Sequence, residues 1–372
     1  MTQSGESIIL EIHDLARGGS GVARADDGRV VFVPFTAPGD QIRARITKNE
    51  KRYAHAELVE ILRPSPTRQK PPCQVFGKCG GCQWQHLPYE LQWKTKVSGV
   101  ANVLNRAGIR FPALEELPAE RIWGYRNRIQ LRGKDQTIGF LASSSHQLIP
   151  IERCEIARPE INSALPQLRK AGAERGGEYK VEIEVLENGE TREAWDREHA
   201  ALGFRQVHDE QNEKLRAWIK ARLMETDGNV YDLFGGSGNL SLQYAVQAPS
   251  AEIHCVDMGA PGSRPAGAPE NIHFHRESSA KWLFRQSLRP GKWVAIIDPP
   301  REGLAHDHGK IADSLERLGV SGIAAIGCDV DSWVRDLSNW VKRGWIPKRG
   351  AILDLFPQTP HVESLAWLER VV

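Results

Sequence analysis

Long apolar runs are missing from this sequence. No stretch approaches the ~18 apolar residues that a membrane-spanning helix needs, so no such helix is expected. The N-terminal run MTQSGESIILEIHDLARGG has no basic segment followed by an apolar one, so no secretory leader is expected and the expected location is the cytoplasm. Cysteine is sparse: six in 372 residues are too few for a secreted disulfide scaffold. Charge of one sign is also missing, since 49 Lys and Arg residues face 47 Asp and Glu residues for a net charge of +2. That balance excludes a wholesale basic nucleic-acid binder and leaves local basic surfaces open.

What is present is ample apolar material, 40% of 372 residues, enough for two or three domains. Between Ile8 and Leu62, short alternating runs such as Gln41 to Ile46 and Ala56 to Ile61 are separated by Gly18-Gly19, Asp27-Gly28 and Pro38-Gly39. This predicts a small antiparallel β-barrel, OB-like, over residues 1–63. Arg43, Arg45, Lys48, Lys51 and Arg52 gather beside Tyr53, the pairing of cations with an aromatic that suits a nucleic-acid surface. The plainer reading is a solvated charged hairpin. Arg63-Pro64-Ser65-Pro66 marks a boundary, because consecutive X-Pro units favour extended chain.

Leu91 to Leu104 has helical spacing, and the segment of about 91–120 is expected to pack on the C-terminal domain. Ile122 to Val185 reads as short strands with turns. From Glu210 the texture becomes alternating strand and helix, the pattern of an open, mostly parallel α/β sheet. One crossover is unusual: residues 258–270 hold so many Pro and Gly residues that no helix is expected there. The predicted division is 1–63, 64–203 and 204–372.

Cys73, Cys79 and Cys82 lie in a Gly-rich turn, and Cys154 is the one other cysteine of the intervening segment. Four thiolates suit a [4Fe-4S] cubane. A four-cysteine zinc site and unligated structural thiols are the rival readings of the spacing. The intervals are not those of a radical-AdoMet enzyme.

Four strand ends carry unusual residues. The run Asp232 to Asn239 is a strand breaking into a Gly-rich turn, without a full G-x-G-x-x-G and with a carboxylate at the strand end. Pyrophosphate fits that poorly, whereas a cationic, phosphate-free ligand such as S-adenosyl-L-methionine (AdoMet) fits better. Asp257 ends the next strand, where a carboxylate would accept ribose hydroxyls. Asp298-Pro299-Pro300-Arg301 and Cys328-Asp329 follow two further apolar runs. A lone strand-end cysteine is more often packing than nucleophile, and Cys255 is placed in that class.

These segments, in this order, resemble the RNA uracil-C5 methyltransferases that make 5-methyluridine, in the subgroup with an N-terminal TRAM domain and a [4Fe-4S] cluster acting on large-subunit ribosomal RNA. The matching segments are Gly21-Val22-Ala23 through Pro38-Gly39-Asp40, the cysteine cluster with Trp84, and Gly124-Tyr125-Arg126-Asn127-Arg128. They continue with Ile138-Gly139-Phe140 to Cys154, Phe204-Arg205-Gln206-Val207, the Asp232 turn, Asp298 to Arg301, Cys328-Asp329 and Phe356 to Glu363. The resemblance implies a Rossmann-like AdoMet methyltransferase sheet behind a TRAM barrel and a central iron–sulfur β domain. It implies Cys328 as nucleophile, Glu363 as the base for the C5 proton, and Phe204, Arg128 and Arg301 near the substrate. Gln206, Phe234, Asn239, Asp257 and Asp298 fall on cofactor positions, and Cys73, Cys79, Cys82 and Cys154 on cluster ligands. The implied partner is RNA, ribosomal before transfer RNA, bound by a monomer. Gly327, Val330 and Ser278 depart from the family's usual Ser, Pro and Asn, which predicts a looser nucleophile loop and an altered adenosine pocket.

The chemistry is coherent with two residues. Uracil C5 is a poor nucleophile until a thiolate adds at C6, and a base must then remove the C5 proton. At an unperturbed pKa of ~8.5 only a few per cent of Cys328 is thiolate at neutral pH, so a cation such as Arg301 is expected beside it. The two other readings are 5-methyluridine formation in the T-loop of transfer RNA, and a non-catalytic RNA-binding or assembly factor that has lost AdoMet binding.

Overall fold

The computed structural model describes residues 5, 7–143, 145–197 and 205–370. The chain divides into two compact units, one of residues 1–99, 120–199 and 356–361, the other of residues 100–119, 200–355 and 362–372.

In the first unit, a six-stranded sheet grows from strict alternation. Along Gln41–Asn49, Ile42, Ala44 and Ile46 point inward while Arg43, Arg45 and Thr47 point out. The inward set packs with Leu10, Ile12, Val31, Val33, Ala54 and Ala56. The pairing is antiparallel except for Val30–Val33, which runs parallel to Tyr53–Arg63, a departure from the expected all-antiparallel barrel. Residues 34–52, with the long strand Gln41–Asn49 inside them, supply the crossover that such parallel pairing requires.

A second, five-stranded antiparallel sheet of the same unit runs in the order Leu148–Pro150, Thr137–Leu141, Arg128–Lys134, Glu178–Val185, Thr191–Trp195. Its cover is the helix Pro159–Arg175, which lays Ile161, Leu165 and Leu168 on the sheet. Reading this region as strands alone missed that helix. Pro159 stands in the helix's first turn, where its missing N–H is no loss, and the apolar spacing 161, 165, 168 offsets the interior Pro166.

The second unit is built on an eight-stranded sheet. Its order is Ile272–Arg276, Ile253–Asp257, Asn229–Leu233, Trp293–Ile297, Val320–Gly327, Glu363–Glu369, Ile346–Leu353, Leu114–Leu117. The first five strands are parallel, and Glu363–Glu369 is antiparallel to both of its neighbours. All five residues of Trp293–Ile297 are buried, as a strand covered on both faces requires. Residues 258–271 cross to the parallel edge strand without a helix, as their composition predicts. The helix Tyr89–Arg106 occupies the segment read as helical.

Candidate active site and cysteine cavity

The parallel strands of the second unit end together, and their last residues supply the chemistry. After Leu233 the chain turns through Phe234 in the left-handed conformation (φ 60°), with its N–H donating to the carbonyl of Val256 (2.9 Å) and to Ser279 Oγ (3.2 Å). Gly235 has no alternative here. A Cβ would lie 2.6 Å from Asp232 Cγ and 2.7 Å from Cys255 Sγ. Asp232 is fully buried and accepts from Ser241 Oγ at 2.5 Å. Asn239 exchanges two amide hydrogen bonds with Asn212, at 2.9 and 3.0 Å. Asp257 accepts from the Gly259 N–H, and Gln206 is buried. Phe204 lies outside the described residues.

Burial raises the Asp232 carboxyl to about 7, with Asp257 adding to the rise and the Ser241 hydrogen bond opposing it. Asp298 is likewise raised to about 7 by burial and by the charges of Asp232 and Asp257. Acids that raise one another in this way favour a cationic occupant.

The nucleophile candidate and the base candidate come from the antiparallel pair. Gly327 pairs with Ser364, so continuing that register by one residue sets Cys328 opposite Glu363. Burial pushes the Cys328 thiol up to about 12, with Glu363 and Asp298 adding to the rise and the Arg301 charge opposing it. Glu363 is almost wholly buried and raised well above the ordinary carboxylate range by burial and by Asp298, again opposed by Arg301. A thiol, two acids and one guanidinium therefore act on one another at the sheet's end. The sequence pattern had no sign of the strand Glu363–Glu369, and Glu363 stood out through resemblance alone.

Three supporting residues carried no signal in the sequence: Asn212, Ser241 and Ser279. Each acts by a hydrogen bond to a partner distant in the chain, a relation that spacing does not encode.

In the first unit, Cys73, Cys79, Cys82 and Cys154 line one cavity with Phe76, Gln85, Arg126 and Glu155. Burial raises all four thiols, Cys82 to about 12 and Cys154 to about 11. Asn162 fixes the loop of the fourth, accepting from the Cys154 N–H at 2.8 Å and donating to the Cys154 carbonyl at 3.0 Å. Among the described residues, no group of three or more His, Cys, Asp or Glu side chains is arranged to hold a single metal ion. Arg128 is buried in the five-stranded sheet, where Glu184 and Glu182 of the facing strand pair with its guanidinium. This gives it carboxylate partners within the sheet.

On the N-terminal sheet, Arg43 pairs with Glu60 at 3.5 Å, Arg45 with Glu57, and Lys48 with Glu50 at 3.1 Å. Phe32, Tyr53 and His55 form an aromatic group with ring centroids 5.5 to 6.1 Å apart. No helix among the described residues is long and apolar enough to cross a membrane.

The TRAM domain family model matches residues 2–59. The structure shares its fold with the tRNA (uracil-54, C5)-methyltransferase of Pyrococcus abyssi, solved with S-adenosyl-L-homocysteine. The TM-score is 0.72 at 20% identity, over 96% of this chain and 99% of that one. The likeness shows the fold, an α/β sheet whose strand ends carry the acids described above. An uncharacterized RNA methyltransferase of Bdellovibrio bacteriovorus is 34% identical over 98% of this chain and 95% of its own length. A 23S rRNA (uracil(1939)-C(5))-methyltransferase of Pectobacterium atrosepticum is 27% identical over 97% of this chain and 93% of its own. The chain belongs to this family of RNA methyltransferases.

Proposed function

We propose that this protein methylates C5 of a uridine in RNA, with Cys328 as nucleophile, Glu363 as base and AdoMet as methyl donor. The reading is supported by the pairing of Gly327 with Ser364, the residues next to Cys328 and Glu363, and by the electrostatic action of Glu363, Asp298 and Arg301 on the Cys328 thiol. Cys328 gives up its thiol proton to solvent and adds to C6 as the thiolate, and the C5–C6 π electrons move toward O4, which makes C5 a nucleophile. Bound AdoMet supplies the electrophilic methyl group. Glu363 then takes the C5 proton, the C6–S bond breaks, and Cys328 leaves as thiolate. The burial that raises Glu363 strengthens it as a base in its ionised form and lowers the fraction ionised at neutral pH. Phe234, Asn239, Gln206, Asp257 and Asp298 would hold the cofactor, whose positive charge suits the acids that raise one another there. The uridine must be unpaired or flipped, at a cost of roughly a few kcal/mol. Phe204 is assigned to stack on it, with Arg301 near the ring.

Large-subunit ribosomal RNA is the substrate we favour. It is supported by the Pectobacterium relative, which covers nearly the whole chain at 27% identity. The Phe32, Tyr53 and His55 group with the neighbouring cations is the RNA surface we assign to the N-terminal sheet. The four cysteines are assigned as ligands of a [4Fe-4S] cluster. Their convergence on the lining of one cavity supports that donor set. A cluster there would cross-link the 73–82 turn to the Cys154 loop.

The test separates the two catalytic roles. Cys328→Ala should bind RNA and AdoMet yet form neither adduct nor product. Glu363→Gln should transfer the methyl group and then accumulate a denaturation-resistant protein–RNA complex. RNA from a strain lacking the gene, labelled with the enzyme and AdoMet and then mapped, identifies the uridine. Normal turnover by Cys328→Ala would end the reading.

A further inference from the structure

The helix Val330–Lys342 starts two residues after Cys328 and presents Ser332, Arg335 and Asp336, spaced i, i+3, i+4, on one face. Each of the three holds a backbone group of the loop that follows Asp298. Ser332 Oγ donates to the carbonyl of Arg301 at 2.7 Å, with the Asp329 carbonyl as a longer second acceptor at 3.1 Å. Arg335 Nη2 donates to the carbonyl of Glu302 at 2.6 Å. Asp336 Oδ2 accepts the Leu304 N–H at 2.7 Å. Gly303, at φ 69°, sits so close that a Cβ would lie 2.3 Å from Asp336 Oδ2. The helix itself is fixed at the nucleophile's end, because Asp329 caps it by accepting the Ser332 N–H at 2.9 Å. Ser332 is thus joined to Asp329, the neighbour of Cys328, through its N–H and to Arg301 through its hydroxyl.

We infer that this helix face is a clamp, and that Ser332 is a positioning residue that holds Arg301 in register with Cys328. The inference rests on the proposed roles of Cys328 and Arg301. It goes beyond them, since Ser332 touches neither substrate nor thiol. Cys328 is flanked by the acids Glu363 and Asp298, both of which oppose its ionisation, and Arg301 is the cation that acts against them. A loop released from the helix would leave the acids in place and let the cation drift. A residue that merely stabilised the fold would not change thiol reactivity selectively.

The experiment uses the full chain and follows alkylation of Cys328 by iodoacetamide against pH, assigned by peptide mass spectrometry, alongside turnover on RNA. Ser332→Ala should move the alkylation profile to higher pH, so that the rate at neutral pH falls about three- to tenfold. Turnover should drop about tenfold or more while the AdoMet KM stays within about twofold, as expected for a displaced group rather than a lost binding contact. Ser332→Thr, which keeps the hydroxyl, should restore both. A Ser332→Ala profile identical to wild type, or a shift that Thr fails to reverse, overturns the clamp. If Ser332→Ala does not fold, Arg335→Met carries the test on a half-exposed side chain. The same direction of shift supports the clamp, and an unmoved profile overturns it. Cys328→Ala run in parallel keeps the two ideas apart: turnover by that variant defeats the nucleophile assignment, whereas an inactive Cys328→Ala beside an unaffected Ser332→Ala defeats the clamp alone.

Discussion

The cysteine cavity around Cys82 and the strand-end pocket around Asp298 both bury acids among acids, yet only one of them is under tension at neutral pH. The four thiols of the cavity are raised by burial, to about 12 for Cys82 and about 11 for Cys154. A thiol is largely protonated at pH 7 in any case, so burying it neutral costs little until something demands the thiolate. The carboxyls of Asp232 and Asp298, ordinarily ionised at that pH, are raised to about 7 by burial and by neighbouring carboxylate charge. The difference teaches what each pocket answers to. The proposed cluster would draw on the first by demanding thiolates, and the proposed cofactor would draw on the second by favouring carboxylates.

The sharpest separation comes from the cysteines themselves. Cys328→Ala should lose turnover by about 10⁴-fold or more and keep its melting temperature, because the side chain is the proposed reacting group at a strand end. Cys82→Ser should do the reverse first: lose bound iron and thermal stability, with turnover falling as a consequence. Metal analysis, thermal melts and turnover on the same preparations decide it. A Cys82→Ser protein with wild-type stability and no iron in the wild type would remove the cluster from the comparison.

The acid pocket supplies a smaller, pH-dependent effect. Asp232 and Asp298 have folded-state pKa values above their unfolded ones, so the folded protein holds more protons between about pH 4 and 7. Their contribution to stability is therefore fully present below the unfolded pKa and is lost as pH rises through about 7. A bound cation reverses the preference by favouring the carboxylates. AdoMet affinity should rise with pH across the same window, by up to about tenfold per pH unit for each proton released. Calorimetric titration from pH 5.5 to 8 measures the slope. Asp298→Asn should flatten it, and a wild-type affinity that is level with pH would show that the acids do not titrate against the ligand.

The two regions also differ in how much the sequence disclosed. The cysteine intervals were legible without a structure, because ligands on one turn must be close in the chain. The strand ends Asp232, Asp257, Asp298 and Cys328 were legible too, since each apolar run stops at a polar residue. Glu363 was not legible from periodicity. Its strand has a register that depends on Val320–Gly327, more than thirty residues away. The Pro159–Arg175 helix was hidden by its prolines, and the reciprocal Asn212–Asn239 pair by its 27-residue separation. Arg128 was placed near the substrate by resemblance alone, and its burial against Glu182 and Glu184 of the neighbouring strand was not legible in the sequence.

The smallest expected effect concerns Gly327, which stands before the proposed nucleophile, where the family resemblance implies Ser. Sequence alone reads that glycine as looseness, whereas the structure gives it a packing reason. A Cβ at Gly327 would lie 2.6 Å from Trp333 Cβ and 2.8 Å from its Cδ1. Trp333 has little room to retreat: its indole N–H donates to the Ala325 carbonyl at 3.1 Å, and its ring stacks on Phe111 with centroids 6.4 Å apart. Gly327 does not have a positive φ, so the constraint is the Trp333 side chain, from its Cβ outward, and not the conformation of the Gly327 backbone. Gly327→Ser should therefore cost about 1–3 kcal/mol through overpacking. At about 2–4 °C per kcal/mol for a chain of this size or somewhat smaller, the melting temperature should fall by roughly 2–12 °C. Combining it with Trp333→Ala should recover part of that loss relative to the sum of the two single changes, because alanine removes the ring atoms at 2.8 and 2.9 Å while keeping the Cβ at 2.6 Å. Differential scanning calorimetry of the four proteins closes the cycle. If the two changes simply add, Trp333 is not what excludes a side chain at Gly327, and the family's serine is absent here for a reason outside this contact.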